Sequence, residues 1–398
     1  MRGSNQQGMR LFNERIVLQA IRLHGAIPKA DLARLTQLST QTVSIIVDRL
    51  LDDGLLIKQD RVRGNIGQPS IPVSLNPEGA FSLGVQVGRR SMEVLVLDFV
   101  GKIRHQHVFH YDYPDPDEVL PHIASSLKTL RRKLGARWAR VVGLGLSAPL
   151  FMNQWANLLG PQAAPAMAKW DGVDLRERVQ AMTDLSVVFA KDTIAACTAE
   201  LLQGHGQQLR SFLYVFVGTF VGGGLVLSGH LLPGERGNAG AIGSLPLGIA
   251  RAGYGQGQLL EKSSGWQLEQ ALIQAGLAPQ LIHDDAITDP AYDTLTQPWL
   301  QTAADALAMT ITAATALLDL DAVVLDGSIS RRLLQQLLLQ TRKALEAYPL
   351  VGIVRPSRLE IGQVGAHARA LGGALLPQHI QFFPDKDIFL KQDLQSTV

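Results

Sequence analysis

The sequence predicts an α/β chain in two parts: a small winged helix-turn-helix at residues 11–76 and a long two-lobed region at residues 77–376. Three observations predict it. Apolar residues recur at helical spacing near the N-terminus, positive charge is concentrated there, and beyond the Pro- and Gly-punctuated stretch from Gly67 to Pro77 strand-like and helix-like runs alternate twice.

In the segment KADLARLTQLSTQTVSIIVDRLLDDGLLIK, from Lys29 to Lys58, the apolar positions Leu32, Leu35, Val43, Ile46, Val47 and Leu50 mark two helices joined by a tight turn. Ser39 sits where an N-cap closes the free amides of the second helix. The polar face of that helix carries Thr40, Gln41, Thr42, Ser44 and Arg49, whose hydroxyl, amide and guanidinium groups match base edges and phosphates in a major groove. After Asp53-Gly54 the run Leu55 to Lys58 reads as a strand. Lys58, Arg61 and Arg63 then lead into Gly64 to Pro69, including Gln68, as a basic wing.

Charge placement separates this reading from that of a helical hairpin whose polar face simply meets water. Residues 1–72 hold ten Lys or Arg against six Asp or Glu, a net of +4, whereas the whole chain, with 37 against 35, is only +2. The remainder is therefore net −2, and the positive excess lies on the part that would face phosphate: a double-stranded DNA partner is expected.

At 398 residues, 46% hydrophobic and 18% charged, the chain is long enough for two or three buried cores. The most apolar stretch, Ala303 to Leu318, is interrupted by Thr and Asp, so no bilayer-spanning segment is expected. The N-terminus lacks an apolar signal core and Cys197 has no second cysteine to pair with, which together imply a cytoplasmic location. Residues 1–10 are expected to be flexible. Residues 377–398 are expected to form a separate tail, in which Phe382-Phe383 and Ile388 to Leu390 pack either on a partner subunit or on the chain itself.

In the long region, Phe81 to Val87 and Met92 to Leu97 read as strands joined by Gly88-Arg89-Arg90-Ser91, with a third at Val108 to His110, an opening antiparallel meander. A helix from Glu118 to Leu134 precedes a strand at Val141 to Leu146. Further strands are expected at Ser186 to Phe189, Phe212 to Val217, Gly224 to Leu227 and Ala322 to Leu325, with helices at Thr193 to Leu202 and Ala303 to Leu318. The repeated alternation predicts two related lobes with a cleft between them. His105, His107 and His110 lack nearby Cys or carboxylate partners and read as surface, and Cys197, flanked by Ala196 and Ala199, reads as a buried small hydrophobe.

Seven landmarks in order carry a family resemblance: Gly67-Gln68-Pro69, Leu75-Asn76-Pro77, Lys191 to Ala196, Gly218 to Gly224, Gly234 to Gly243, Leu325 to Ile329, and Ala368 to Leu376. Over nearly its whole length the chain resembles regulators of the ROK family (repressor, open reading frame, kinase). The resemblance implies a winged helix-turn-helix ahead of a two-lobed kinase-like domain of the actin and hexokinase type. In the enzymes of that family an Asp in the first hairpin organises magnesium and phosphates, an Asp takes the proton of the sugar hydroxyl, and Glu and His grasp sugar hydroxyls or bind zinc.

Here only part of that set is present. Gln86 stands where the metal-organising Asp would be, and Arg89 and Arg90 fill a place of small residues, where they either meet solvent or hold an anion. Asp192 matches the general base, but Lys191 and Ile194 replace two asparagines. Phe220 interrupts the glycine-rich phosphate loop, for which an ordinary β-turn is an equal reading. Gly240-Ala241-Ile242-Gly243-Ser244 keeps the glycines of the sugar turn without its Glu and His. The stretch Arg251 to Ser264 has no cysteines for zinc, so no metal or other cofactor is expected. A further sugar glutamate would fall at Leu260, with Glu261 one position away.

The resemblance therefore implies a sequence-specific DNA-binding regulator, a repressor, whose kinase-like domain has lost phosphoryl transfer. It further implies a homodimer or homotetramer and a sugar-like effector in a cleft that includes Lys191, Asp192, Asn238, Ala241, Ser244 and Glu261. The competing readings are an active carbohydrate kinase with an accessory N-terminal domain, and a body that serves only as an oligomerisation or partner-binding scaffold.

Overall fold

A computed structural model describes residues 6–60, 71–155, 159–248, 257–348 and 351–384. The N-terminal head consists of α1 (Gln6–His24), α2 (Lys29–Thr36), α3 (Thr40–Asp52) and β1 (Leu56–Lys58), the last paired antiparallel with β2 (Val73–Leu75). Val17, Leu18 and Ile21 of α1 close over Leu32 of α2 and Val43, Ile46, Val47 and Leu50 of α3, so the spacing read from the sequence is the spacing of the core. Leu35 is the exception: it points away from this core and is 51% exposed. The expectation of a flexible stretch at 1–10 needs correction over residues 6–10, because α1 begins at Gln6 and runs through Gly8 without a break to His24.

The body contains two five-stranded sheets built alike. The first joins β3 (Phe81–Val87), β4 (Ser91–Asp98), β5 (Ile103–His110), β6 (Val141–Ala148) and β7 (Val187–Lys191) in the order β5-β4-β3-β6-β7. The second joins β8 (Phe212–Val217), β9 (Val221–Leu227), β10 (His230–Leu231), β11 (Ala322–Gly327) and β12 (Arg358–Ile361) in the order β10-β9-β8-β11-β12. In each, a three-stranded antiparallel meander is extended by two parallel strands, which is the doubling that the alternation predicted.

Helices cover both sheets. The first lobe carries α4 (Pro116–Leu134), α5 (Ala164–Ala168) and α6 (Leu175–Gln180). The second carries α8 (Leu259–Ser263), α9 (Gly265–Gln274), α10 (Asp293–Leu318) and α11 (Arg331–Glu346). Between the sheets lie α7 (Asp192–Gln203) and α12 (Ala368–Phe382), sharing one core with Leu95 and Leu97 of β4 and with Phe212, Tyr214 and Phe216 of β8.

That middle layer is tight because its contact residues lack side chains. A Cβ at Gly372 of α12 would stand 1.6 Å from the Ala195 carbonyl oxygen of α7, and one at Gly145 of β6 would stand 1.7 Å from the Gly373 carbonyl oxygen. Both distances lie far inside van der Waals contact, so backbone rests on backbone. Pro377, the first residue of the expected tail, lies within α12. It donates nothing to the Gly373 carbonyl four residues back, and that carbonyl faces Gly145, so the helix passes the proline and runs on to Phe382.

Other differences from expectation are local. β5 starts at Ile103 rather than Val108, its polar residues reflecting an outer strand, and β9 starts at Val221, which places Gly222, Gly223 and Gly224 inside a strand. Phe382 and Phe383 do not form a separate tail. They join Phe99 of the β4–β5 turn in the core of the head, where Phe99 and Phe382 meet edge to face at 4.8 Å and the Arg22 guanidinium lies 4.1 Å from the Phe383 ring centre. Arg15 Nη1 donates to the Phe383 carbonyl at 3.3 Å, and burial lowers the pKa of Arg22 to about 10. Ile388 to Leu390 lie outside the described residues.

Gly372→Ala inserts a methyl group where no space exists. It is expected to destabilise the body by about 3 kcal/mol or more, read as a lowered melting temperature or lost soluble yield. A variant melting with the wild type would show that the two middle helices can separate freely.

Candidate functional site

Gln37, in the left-handed region at φ 56°, reverses the chain between α2 and α3, and Ser39 Oγ then accepts from the Thr42 amide at 3.1 Å to start α3. With Val43, Ile46, Val47 and Leu50 turned inward, Thr40, Gln41 and Ile45 stand exposed on the opposite face, with Thr42 and Ser44 half-buried. Ile45, 55% exposed, was not among the expected DNA-facing residues. Its position on the outer side is set by the helical period, and an apolar group there suits a thymine methyl.

Two expected contacts are engaged elsewhere. Arg49 pairs with Glu14 of α1, because the helix directs it at the head's own first helix. Ser44 Oγ accepts from Lys29 Nζ at 3.1 Å, and Lys29 also pairs with Asp48 at 2.7 Å, a hydrogen bond that holds the Asp48 carboxyl below its usual range. Lys58 is exposed on β1. Arg61, Arg63 and Gln68 lie outside the described residues.

The second candidate is a cleft of about 900 Å³ between the lobes. Lys191, Asp192, Asn238, Ala241 and Ser244 line it, as the sequence suggested. Glu261 does not: it is exposed on α8, and Leu260 takes the inward position. Lys191 Nζ donates to Asn238 Oδ1 at 2.9 Å, and burial lowers the lysine's pKa. Asp192 Oδ1 accepts from the Thr193 amide at 2.8 Å, and Arg369 Nη1 lies 3.8 Å from Asp192 Oδ2.

The residues that would organise a nucleotide and its metal are arranged for packing. Gln86 lies 2% exposed in β3 and offers a carboxamide where a hard cation needs a carboxylate, so the residues present do not fit magnesium. A Cβ at Gly222 would press on Thr193, and one at Gly224 would stand 2.4 Å from Cys197 Cβ, so these glycines let α7 lie against β9 rather than cradle phosphate. Only Gly218 to Phe220 form a turn, and Phe220 meets Trp155 of the opposite lobe edge to face at 5.4 Å. Gly240, at φ +71° and packed against Gly223 and Gly224, holds a backbone conformation and a close approach that favour glycine. Asp326 is fully buried and accepts from Tyr214 Oη, the Gly327 amide and the Gly365 amide, and burial raises its pKa. Cys197 is buried as expected, and burial pushes its thiol well up.

Both hairpin arginines border the cleft and are engaged by neighbouring side chains. Arg89 is 5% exposed and sits under Tyr113 and Trp266, at 5.1 and 4.9 Å from the ring centres, with burial lowering its pKa to about 10. Arg90 Nη2 bonds at 2.7 Å to Glu269 of α9, a carboxylate 2% exposed, and so ties one lobe to the other. Sequence reasoning missed Arg369, Trp155 and Phe151 as cleft residues, since no local motif marks them.

Comparison with known proteins agrees with this division. A sequence profile of the ROK family matches residues 82–380, and one of the MarR family matches residues 12–64. The xylose repressor of Caldicellulosiruptor bescii is 22% identical, over 60% of this chain and 59% of its own. A glucokinase of Halalkalibacterium halodurans is 24% identical, over 74% and 94%. Among solved structures, a ROK family transcriptional regulator described as a homolog of the E. coli Mlc protein superposes with a TM-score of 0.69 at 22% identity, covering 94% of this chain and 97% of that one.

The Arg90–Glu269 bond gives the cleft a measurable latch. Arg90→Ala leaves a buried carboxylate unpaired and is expected to cost about 3 kcal/mol in urea unfolding, whereas replacing both residues by Leu and Met recovers much of that loss. Equal losses in the single and double variants would mean that the bond contributes nothing specific.

Proposed function

The chain belongs to the ROK family, and on that footing we propose that it is a transcriptional repressor that reads a DNA operator through α3 and carries a kinase-like body without phosphoryl transfer. The observation that carries this reading is the outward face of α3. Thr40, Gln41 and Ile45 stand exposed there, with Thr42 half-buried beside them, on a helix of the kind that enters a major groove. The repressor relative supports the same reading.

The body then serves two ends. It brings heads together as a homodimer or homotetramer, so that they meet spaced half-sites, and its cleft takes a sugar-related effector whose binding alters operator affinity. Loss of catalysis follows from chemistry: with Gln86 for a metal-organising carboxylate and Ala241 and Ser244 for sugar-grasping groups, a transferring phosphoryl group would lack both charge neutralisation and alignment. An active carbohydrate kinase is the second reading, favoured by Asp192 at the cleft and by the glucokinase relative.

Footprinting of genomic fragments selected by the pure protein is expected to show a discrete paired site, weakened about tenfold to a hundredfold by Gln41→Ala. Arg49→Ala, by contrast, is expected to loosen the head through Glu14. Steeply salt-dependent binding without a footprint would reject the repressor. ATP-dependent phosphorylation of a sugar that disappears in Asp192→Ala would establish the kinase instead.

A further inference from the structure

The cleft has the wrong polarity for a ligand recognised through neutral hydroxyls alone. Two helices, α7 and α12, start at the cleft; the Thr193 amide of α7 is closed by Asp192 Oδ1, whereas His367 at the N-cap of α12 makes no side-chain cap bond. Their positive ends converge where four cations, Arg89, Arg90, Lys191 and Arg369, line the cavity against two acids, Asp112 and Asp192. Of the cations, Arg90 is occupied by Glu269 and Lys191 by Asn238.

Arg369 is held less completely. Its guanidinium packs 5.1 Å from the Phe216 ring centre, its nearest acidic oxygen is at 3.8 Å, and its buried Nε has no hydrogen-bond partner among the described residues. Arg89, nine-tenths buried and lining the same cavity, donates through Nη1 to the Asp112 carbonyl at 3.0 Å but leaves its Nε without a partner among those residues. A buried donor left open on a fork-shaped cation is costly unless an acceptor arrives, and the acceptors that match the fork are carboxylate and phosphate. Above this floor stand Phe151, 62% exposed, and the Trp155–Phe220 pair, an apolar wall facing the positive end.

We propose that the cleft is a site for a small organic anion, whose carboxylate or phosphate is bound by Arg369 and whose body lies against Phe151, Trp155 and Phe220. The inference rests on the reading of the cleft as an effector site and names the chemistry of the effector. Direct contact with arginine takes the part that a metal bridge has in a phosphotransferase, so Gln86 is no obstacle to it.

The test is calorimetric titration of the full chain, free of DNA, with two matched pairs: glucose 6-phosphate against glucose, and phenylacetate against 2-phenylethanol. The anion of at least one pair is expected to bind about tenfold or more tighter than its neutral counterpart, and which pair responds tells phosphate from carboxylate. Arg369→Gln is expected to abolish that preference. Arg369→Lys, which keeps the charge and loses the fork, is expected to retain part of it, and this second variant guards against a folding defect in the first.

Equal affinity within both pairs, a preference that survives Arg369→Gln, or no binding by either anion would overturn the proposal. Glucose binding that is lost in Asn238→Leu but indifferent to Arg369→Gln would remove the anion while leaving the effector reading intact.

Discussion

Everything in the body depends on two helices lying backbone to backbone between two sheets. Because Gly372 meets Ala195 and Gly145 meets Gly373 with no side chain between them, α7 and α12 are fixed to each other and to β6. Each helix begins at the cleft, so the distance between Asp192 and Arg369 is set by this packing rather than by the pair's own attraction. The same layer makes the lobes one unit. The first sheet covers one side of it and the second sheet the other, and the cleft is what the layer leaves open at its end.

The surroundings of the cleft are shaped by close backbone contacts. Glycines that meet backbone or neighbouring side chains, such as Gly222, Gly224 and Gly240, are retained because any Cβ would collide. The hairpin tip is also turned to a different purpose: Arg89 and Arg90 reach across to Trp266 and Glu269 of the second lobe. The two lobes are thereby held together by aromatic and charged contacts.

The sequence made the repetitive parts of this structure readable. Phe81 to Val87, with Phe81, Leu83, Val85 and Val87 on alternate positions, and the continuous apolar run Phe212 to Val217 have the same bounds in the structure as in the sequence reading. The head's core followed from helical spacing except at Leu35, which lies one position from the end of a helix of only two turns. What could not be read was set by distant partners. Glycines in β9 look like a loop until α7 is seen against them, and Arg89 looks solvated until Tyr113 and Trp266 close over it. Leu260 and Glu261 differ by one residue, and only the turn of α8 decides which faces inward.

Phe99, Phe382 and Phe383 form an aromatic socket into which the head is plugged. The first helix and the end of α12 are thus soldered together through Arg15 and Arg22, although more than three hundred residues separate them in sequence. Such a head is not a bead on a string. Dividing the chain between residues 76 and 77 would leave a raw apolar scar on each piece, and the body's geometry, not the length of a tether, dictates where the reading helix points.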